Sequence, residues 1–215
     1  MGVNEIAEYI VYYFCFLFAL SVHEAAHGAM ADRCGDPSAR MLGRVTLNPL
    51  PHIDPIGTVI LPILLAVSRA GFVFGWAKPV PFNPRNLRNI RRDPVLIALS
   101  GPVSNLLVAA LFVLLSRMTV ILTESGVLPV VPPPIFIRFL FSMILINMIL
   151  AAFNIIPVPP LDGHYVLMYF LPESGQRALE RIGPFGILIA VLAARPLFRF
   201  LEPVFAAVYS FAFPM

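Results

Sequence analysis

The stretch Ser21–Gly28 contains a His-Glu-x-x-His motif, formed by His23, Glu24 and His27, at the end of a long apolar run. Two histidines four residues apart on a helix differ by about 40° around its axis, so both side chains face the same way. This spacing lets two imidazoles bind one zinc ion and leaves the intervening glutamate free to act as a general base. The alternative is a chance match or a polar helix end. That alternative must explain why ionisable side chains lie in an apolar segment, where placing them in hydrocarbon costs free energy.

The amino-acid composition indicates an integral membrane protein. Of the 215 residues, 59% are hydrophobic and 13% are charged, whereas soluble domains carry about 25% charged residues. Several apolar runs approach or exceed the roughly 17–25 residues that cross a bilayer as a helix. We therefore expect one integral-membrane domain over 1–215, with its core at 5–171 and a C-terminal helical region at 183–213. The net charge of +3 is typical of basic cytoplasmic loops, and the sequence offers no motif for nucleic-acid binding.

The expected fold class is all-α, a polytopic helical bundle with a small membrane-associated extended or β region. The first helix is predicted from about Glu5 to about Arg33, because Gly35 and Pro37 follow it as a stop signal. The residues from Ser38 to Pro55 are interpreted as extended, since they include Thr and Val without a helical stripe. The later predicted elements are helices at about Pro94–Thr123 and Ile135–Ile156, a short helix to Leu171, a polar loop at 172–181 and a break at Arg195–Pro196.

A catalytic zinc ion takes three protein ligands and keeps one open position. The chain has only four histidines, so a carboxylate is the expected third ligand, and Asp162 is the best candidate. Asp162 directly follows an apolar helix and is flanked by prolines and a glycine. A simple N-cap for the next helix is the alternative for this residue. His52 and Asp54 are close enough in sequence to reach the metal region, but a hydrogen-bonded loop is the preferred interpretation for both. His164 is interpreted as a loop residue or a neighbour of a ligand rather than as a ligand.

The predicted ligands constrain the membrane topology. If the apolar stretch Ile56–Trp76 crossed the membrane fully, Asp162 would emerge about 30 Å from the histidines, and no single ion could bind all three side chains. If this stretch enters and returns on one side, the three side chains meet. Pro62, Gly71 and Gly75 supply the break that such a turn requires. We therefore predict a re-entrant segment between the first and second core helices, with its non-helical backbone buried or lining a cavity.

Basic residues are concentrated on the histidine side of the membrane in this topology. By the positive-inside rule that side is cytoplasmic, so the active site is predicted to open toward the cytoplasm. The residues on that side are Arg33, Arg40, Arg44, Lys78, Arg85, Arg88, Arg91, Arg92, Arg177 and Arg181.

Three motifs on or beside membrane segments appear in a characteristic order. They are His23-Glu24-Ala25-Ala26-His27, Ser100-Gly101-Pro102-Val103-Ser104-Asn105 and Asn154-Ile155-Ile156-Pro157-Val158-Pro159-Pro160-Leu161-Asp162-Gly163. In these motifs the chain resembles the site-2 protease family of intramembrane zinc proteases over about residues 17–171. It is most similar to small bacterial members without a PDZ or CBS domain.

The resemblance implies a role for each residue of the site. His23, His27 and Asp162 are the implied ligands of one zinc ion, Glu24 the catalytic base, and Asn154 a group that stabilises the oxyanion or positions substrate. The implied location is the bacterial plasma membrane, and the implied partner is a transmembrane protein substrate. The resemblance leaves the oligomeric state open.

Other polar and small residues near the motifs have simpler interpretations. Asn147 lies on the same helix face as Asn154 and is expected to hydrogen-bond between helices. Gly101 is expected to allow close packing, and Asn105 to anchor a backbone group. The extended stretch 71–81 is a candidate clamp that pairs with unwound substrate as an added strand.

The predicted function is that of an intramembrane zinc endopeptidase, which hydrolyses peptide bonds within or near transmembrane segments. The alternative is a membrane metal-ion transporter that uses the same His/Asp cluster. Transport favours internal repeats and polar residues along a whole path, whereas the polar groups here cluster at one depth. A catalytically inactive scaffold is disfavoured because the His, Glu, Asp and Asn set is intact.

Overall fold

The apolar runs of the sequence form helices in a computed structural model that describes residues 2–68, 75–128 and 130–214. In this part of the chain there is no β-strand, so the all-α prediction is confirmed and the predicted β region has no regular strand. The helices are α1 (Val3–Arg33), α2 (Ser38–Met41), α3 (Leu61–Val67), α4 (Asp93–Glu124), α5 (Pro134–Asn154), α6 (Gly163–Phe170) and α7 (Glu173–Ala212).

Three of these helices, α1, α4 and α5, are long and apolar enough to cross a membrane. The shortest, α5, has 21 residues, and at 1.5 Å per residue it extends about 31 Å, the thickness of a bilayer's hydrocarbon core. The three helices pack around buried side chains that include Phe16, Ala19 and Met143. On the outer face of α4, Leu107 and Leu114 are exposed, as expected of side chains that contact lipid.

Contacts at the two ends of the bundle establish the direction of each helix. At one end, Arg138 near the start of α5 forms an ion pair of 2.8 Å with Glu8 near the start of α1. At the other end, Ala31 of α1 packs with Ile97 near the start of α4. The end of α1, the start of α4 and the end of α5 therefore lie at the same end of the bundle.

The connection between α1 and α4 differs from the sequence prediction. Ser38–Pro55 was expected to be extended, but it contains α2 and a 3₁₀ turn at Leu50–His52. A π-helical turn at Pro55–Ile60 then leads into α3, and the Asp54 carboxylate caps this turn by accepting from two backbone N–H groups. Short segments such as these depend on caps and tertiary hydrogen bonds, which a search for periodicity does not detect.

The chain beyond α3 returns to the residues where this helical segment began. Gly71, one of the predicted break residues, lies outside the described residues. Where the description resumes, Trp76 N–H donates to the Gly57 carbonyl at 3.3 Å, and Lys78 N–H donates to the His52 carbonyl at 2.8 Å. The irregular segment 75–83 therefore runs alongside residues 52–58.

A buried carboxylate, Asp36, joins the end of α1 to the segment that precedes α4. It accepts hydrogen bonds from the backbone and hydroxyl of Ser38, from Asn83 N–H at 2.6 Å and from the Asn86 amide at 2.8 Å. Burial raises the pKa of the Asp36 carboxyl, but these hydrogen bonds lower it by more, so the pKa lies below its ordinary value. Asp36 thus holds residues 83–86 beside the end of α1.

The C-terminal region is one bent helix. The sequence predicted a polar loop at 172–181 and a break at Arg195–Pro196, and both predictions are wrong, because α7 begins at Glu173 and continues through Pro196 to Ala212. The helix instead bends by 90° between Gly183 and Phe185. The bend falls at a proline, which lacks an N–H and commonly kinks helices. Prolines such as Pro196 are tolerated in apolar helices where neighbouring groups compensate.

Candidate metal centre

His23, His27 and Asp162 converge on one point at the end of the bundle where α1 and α5 end. The two histidine Nε2 atoms are 3.0 Å apart, and Asp162 Oδ2 lies 3.1 and 3.3 Å from them. Ligands at about 2.0–2.1 Å from a tetrahedral zinc ion lie about 3.3–3.4 Å from one another, since the tetrahedron's edge is about 1.6 times the bond length. The spacing of these atoms therefore fits one zinc ion.

The tautomer of each histidine is set by a hydrogen bond on the far side of its ring. His27 Nδ1 lies 2.7 Å from the carbonyl oxygen of Ile97, which can only accept, so Nδ1 carries the hydrogen. His23 Nδ1 lies 2.6 Å from Asn105 Oδ1 and donates to it. Both Nε2 atoms therefore present lone pairs to the same point. Such bonds orient histidine ligands in metal sites.

The aspartate completes a set of electron-pair donors. Asp162 Oδ2 is buried and has no hydrogen-bond donor in the described part of the chain. One carboxylate oxygen facing two imidazole lone pairs is a set of donors without a hydrogen between them, and these donor types suit zinc.

Asn105 and Asn147 form a hydrogen-bonded chain behind His23. The Asn105 amide N–H group donates to the Ala19 carbonyl at 3.2 Å and to Asn147 Oδ1 at 2.8 Å, and Asn147 Nδ2 donates to the Met143 carbonyl. Because backbone carbonyls can only accept, this chain directs Asn105 Oδ1 toward His23. The sequence prediction of a backbone anchor at Asn105 is correct but incomplete, since it missed the contact with His23.

Gly101 permits α4 to approach the histidines closely. A Cβ atom built on this glycine would lie 2.5 Å from the His27 ring and 2.6 Å from Cε1 of His23, closer than side chains tolerate. Asn105 follows Gly101 by four residues and therefore lies on the same face of α4. This spacing is a sequence signal that Asn105 shares the close-packing face of α4, although it does not identify His23 as the partner.

Glu24 is buried and held by the irregular segment 75–83. Its exposed fraction is 9%, and its Oε2 atom accepts a hydrogen bond of 2.9 Å from Val80 N–H. Val80 lies between Pro79 and Pro81. Because proline lacks an N–H, Val80 provides the only backbone donor in residues 79–81, and this donor is directed at Glu24.

Asn154 is the last residue of α5, at the wall of a cavity that Asp162 also lines. Its amide nitrogen donates to the Leu150 carbonyl at 3.0 Å, which engages one of its two N–H groups. The other N–H group remains available to a bound molecule. Asn154 thus lines the same cavity as the aspartate of the cluster.

The other two histidines lie outside this cluster in the described part of the chain. His52 is buried, with Nε2 at 3.0 Å from the Thr46 carbonyl. His164 Nδ1 lies 2.6 Å from the Leu161 carbonyl. Both contacts agree with their interpretation as loop residues.

Comparisons with known proteins place these observations in a family. The family model for Peptidase family M50 matches residues 131–194. YwhC of Bacillus subtilis, which is named as a zinc metalloprotease, is 34% identical over 184 residues, covering 84% of this chain and 78% of YwhC. Rip2 of Mycolicibacterium smegmatis, with the same kind of name, is 30% identical over 182 residues, covering 82% of this chain and 63% of Rip2. No solved structure gives a significant match. The chain therefore belongs to peptidase family M50, the site-2 proteases, and is a zinc metalloprotease of the membrane.

Proposed function

We propose that this protein is an intramembrane endopeptidase that hydrolyses peptide bonds within or near transmembrane segments of other membrane proteins. In this proposal His23, His27 and Asp162 hold one zinc ion, and Glu24 is the general base. The observation that carries the proposal is the convergence of two Nε2 atoms and one carboxylate oxygen, 3.0–3.3 Å apart, beside a buried glutamate. Family membership supports a membrane zinc protease and leaves the residue roles to be tested.

The chain's own residues supply the proton transfers. A bound zinc ion would polarise the scissile carbonyl and activate water as the nucleophile. Glu24 accepts the proton from that water and then delivers it to the leaving amine. The hydrogen bond from Val80 N–H to Glu24 Oε2 orients the carboxylate for this task. The second oxygen of Glu24 then remains available for the proton.

Asn154 is proposed to stabilise the negative charge that develops on the scissile carbonyl oxygen. It lies at the same cavity wall as Asp162, and one of its N–H groups is not used by the helix. Loss of one such donor typically costs about 2.7–4 kcal/mol in transition-state stabilisation.

The stretch Ile56–Trp76, of which 69–74 lie outside the described residues, is proposed to be re-entrant, entering and leaving the membrane on one side. Two contacts support this: Trp76 N–H donates to the Gly57 carbonyl, and the Thr58 hydroxyl donates to the Trp76 carbonyl. The beginning and the end of the segment are therefore neighbours. With α1, α4 and α5 as the crossings, the zinc ligands share a side with ten of the chain's fifteen basic residues. By the positive-inside rule we place this side in the cytoplasm.

The candidate clamp at 71–81 is also the proposed contact for unwound substrate, and residues 71–74 of it lie outside the described residues. Trp76, Lys78 and Val80 direct their N–H groups into the protein. In an extended chain the alternate residues face the other way, and two of those, Pro79 and Pro81, have no N–H. The free edge therefore offers mainly carbonyl oxygens, and we expect it to accept hydrogen bonds from the substrate backbone.

Replacement of Glu24 by glutamine tests the proposal. Glu24→Gln keeps the shape and the zinc ligands, so we expect about one zinc per chain by elemental analysis. Cleavage of co-expressed single-span membrane proteins should fall at least about 10²-fold, the usual contribution of a general base. Glu8→Gln, at the opposite end of the bundle, is the matched control and should cleave normally. Undiminished cleavage by Glu24→Gln would contradict the proposed mechanism.

A further inference from the structure

An apolar cavity of about 340 Å³ adjoins the metal centre, between the start of α4, the end of α5 and α6. Asp162 and Asn154 form one wall of this cavity. The rest of the lining is almost wholly apolar and includes Leu99, Pro102, Ile155, Val166, Leu167 and Phe170. The proposed hydrolysis uses only the wall with Asp162 and Asn154, so the apolar part has no role in the chemistry described above.

The sequence of α6 explains the apolar wall. Gly163, Val166, Leu167 and Phe170 follow the spacing i, i+3, i+4, i+7, which places them on one helical face, and all four line the cavity. At Gly163, α6 meets the Ile155 backbone so closely that a Cβ atom would overlap the Ile155 carbonyl. Only glycine therefore fits at this position. The wall is therefore held tightly against the end of α5.

Two apolar residues that line the cavity are also exposed. Phe170 is 76% exposed and Ile155 is 51% exposed, and in a membrane protein such side chains at the bundle surface face hydrocarbon. The volume lies at the low end of the range of about 300–1,000 Å³ for small-molecule sites. A helix with its side chains is about 10 Å or more across, so the cavity suits one bulky side chain rather than a whole helix.

We infer that this cavity binds a bulky apolar side chain, such as Leu or Phe, of the substrate residue next to the scissile bond, and so determines cleavage specificity. The inference rests on the proposed peptidase function. A peptide bond held between Asp162 and Asn154 places a neighbouring side chain at the cavity. A Gly or Ala there would leave apolar surface uncovered, whereas Leu or Phe would fill the space. Each methylene in such a pocket changes kcat/KM by about 10-fold or more.

A synthetic peptide series tests the inference in the purified, zinc-loaded enzyme in detergent. Each peptide has about 30 residues, with an apolar span of about 20 and a central Pro-Gly break, and the cleaved bond is mapped by mass spectrometry. The two residues that flank this bond are then changed one at a time to Gly, Ala, Leu or Phe. At one flanking position we expect kcat/KM to rise at least about 10-fold from Ala to Leu.

Variants of α6 connect this preference with the cavity. Val166→Phe fills the cavity and should reverse the order, so that Ala is cleaved better than Phe, while Leu167→Ala enlarges it and should favour Phe over Leu. Tyr169→Trp adds similar volume on the same helix outside the lining and should keep the wild-type order. The same relative rates in all variants, or an equal loss for every peptide in Val166→Phe, would overturn the inference. Absence of zinc-dependent cleavage by the wild type would instead reject the peptidase function, and the inference with it.

Discussion

At the scale of single residues, the proposed metal centre depends on groups outside its three ligands. The hydrogen-bonded chain behind His23 has a fixed direction, because its last acceptor, the Met143 carbonyl, cannot donate. Asn147 therefore directs its oxygen to Asn105, and Asn105 directs its oxygen to His23. Both asparagines are completely buried. A buried amide group without a hydrogen-bond partner costs about 1–3 kcal/mol of stability. The orientation of both asparagine side chains is therefore strongly determined.

Replacement of Asn147 by leucine should weaken zinc binding although Asn147 is not a ligand. Without Asn147, the Asn105 amide loses the shorter of its two hydrogen bonds and keeps only the one to the Ala19 carbonyl, so His23 is less well oriented. Changes in such outer contacts typically cost about 10–100-fold in metal affinity. Competition with a chromophoric zinc chelator measures the affinity. Ser116→Ala, which removes a hydroxyl bonded only within α4, is the control. Unchanged zinc affinity, with equal loss of thermal stability in the metal-free and zinc-bound protein, would identify Asn147 as a purely structural contact.

Gly101 provides a second prediction at this scale. In Gly101→Ala the new methyl group would lie 2.5 Å from the His27 ring, so α4 or the histidines must shift. Overpacking of this kind costs about 1–3 kcal/mol, and it acts directly on the ligand positions. We expect the purified variant to fold with much less zinc than the wild type. Gly183→Ala, where no atom lies within 4 Å of the new Cβ, should bind as much zinc as the wild type. Equal zinc content in the two variants would count against the close approach of α4.

At the scale of elements, the segments between α1 and α4 are held by a few buried polar contacts. The hydrophobic pattern predicted the long helices because about 20 apolar residues have no alternative to a helix in a bilayer. It failed for Ser38–Pro55, where caps and hydrogen bonds between distant residues determine the backbone. It failed again at α7, where the bend falls between Gly183 and Phe185 rather than at Arg195. This one helix contains three prolines that look alike in sequence, and only the packing decides which one bends it.

Asp36 links stability to pH at the end of α1. Its pKa in the folded protein is below its ordinary value, so its stabilising contribution is complete above the unfolded-state pKa of about 3.9. The contribution is lost as the pH falls through that value toward the folded-state pKa. Asp36→Asn should therefore lower the unfolding temperature at neutral pH, and the difference from wild type should shrink toward about pH 3. Asp32→Asn, which breaks an ion pair with the exposed Arg40, is the control and should change little. A difference independent of pH would refute the linkage.

The segment 75–83 can be tested through its contact with Glu24. Val80→Pro removes the N–H that donates to the Glu24 carboxylate, and a hydrogen bond to a charged group contributes about 1.5–3 kcal/mol. We expect kcat for peptide cleavage to fall about 10–100-fold with zinc retained. Val80→Ala keeps the backbone N–H and only shortens the side chain, so this variant should retain most of the activity. Similar activities for the two variants would show that the N–H is dispensable.

At the scale of the whole molecule, residues far apart in the sequence meet because the end of α1, the start of α4 and the end of α5 lie at the same end of the bundle. The His-Glu-x-x-His motif indicates a zinc centre, but the proposed third ligand, Asp162, lies 135 residues beyond His27. From the sequence, Asp162 is a candidate because it directly follows an apolar helix, and the family resemblance favours it over a simple helix cap. The contact of His23 with Asn105 could not be derived in this way, because it depends on how far α4 slides along α1, and that is decided by Gly101 and the close packing it permits.

The proposed topology predicts which loops face the cytoplasm, and single cysteines can test it. Both native cysteines are buried, and burial raises the pKa of the Cys34 thiol, so the wild type should react poorly with a membrane-impermeant maleimide. In intact cells Ser125→Cys, in the loop between α4 and α5, should be labelled. Arg91→Cys and Glu173→Cys, at the end of the bundle that holds the metal ligands, should be labelled only after the membrane is opened. Labelling of Arg91→Cys and Ser125→Cys from the same side would contradict the membrane crossing by α4 on which the proposed topology depends. Labelling of Arg91→Cys and Glu173→Cys in intact cells would indicate the same bundle in the opposite orientation in the membrane.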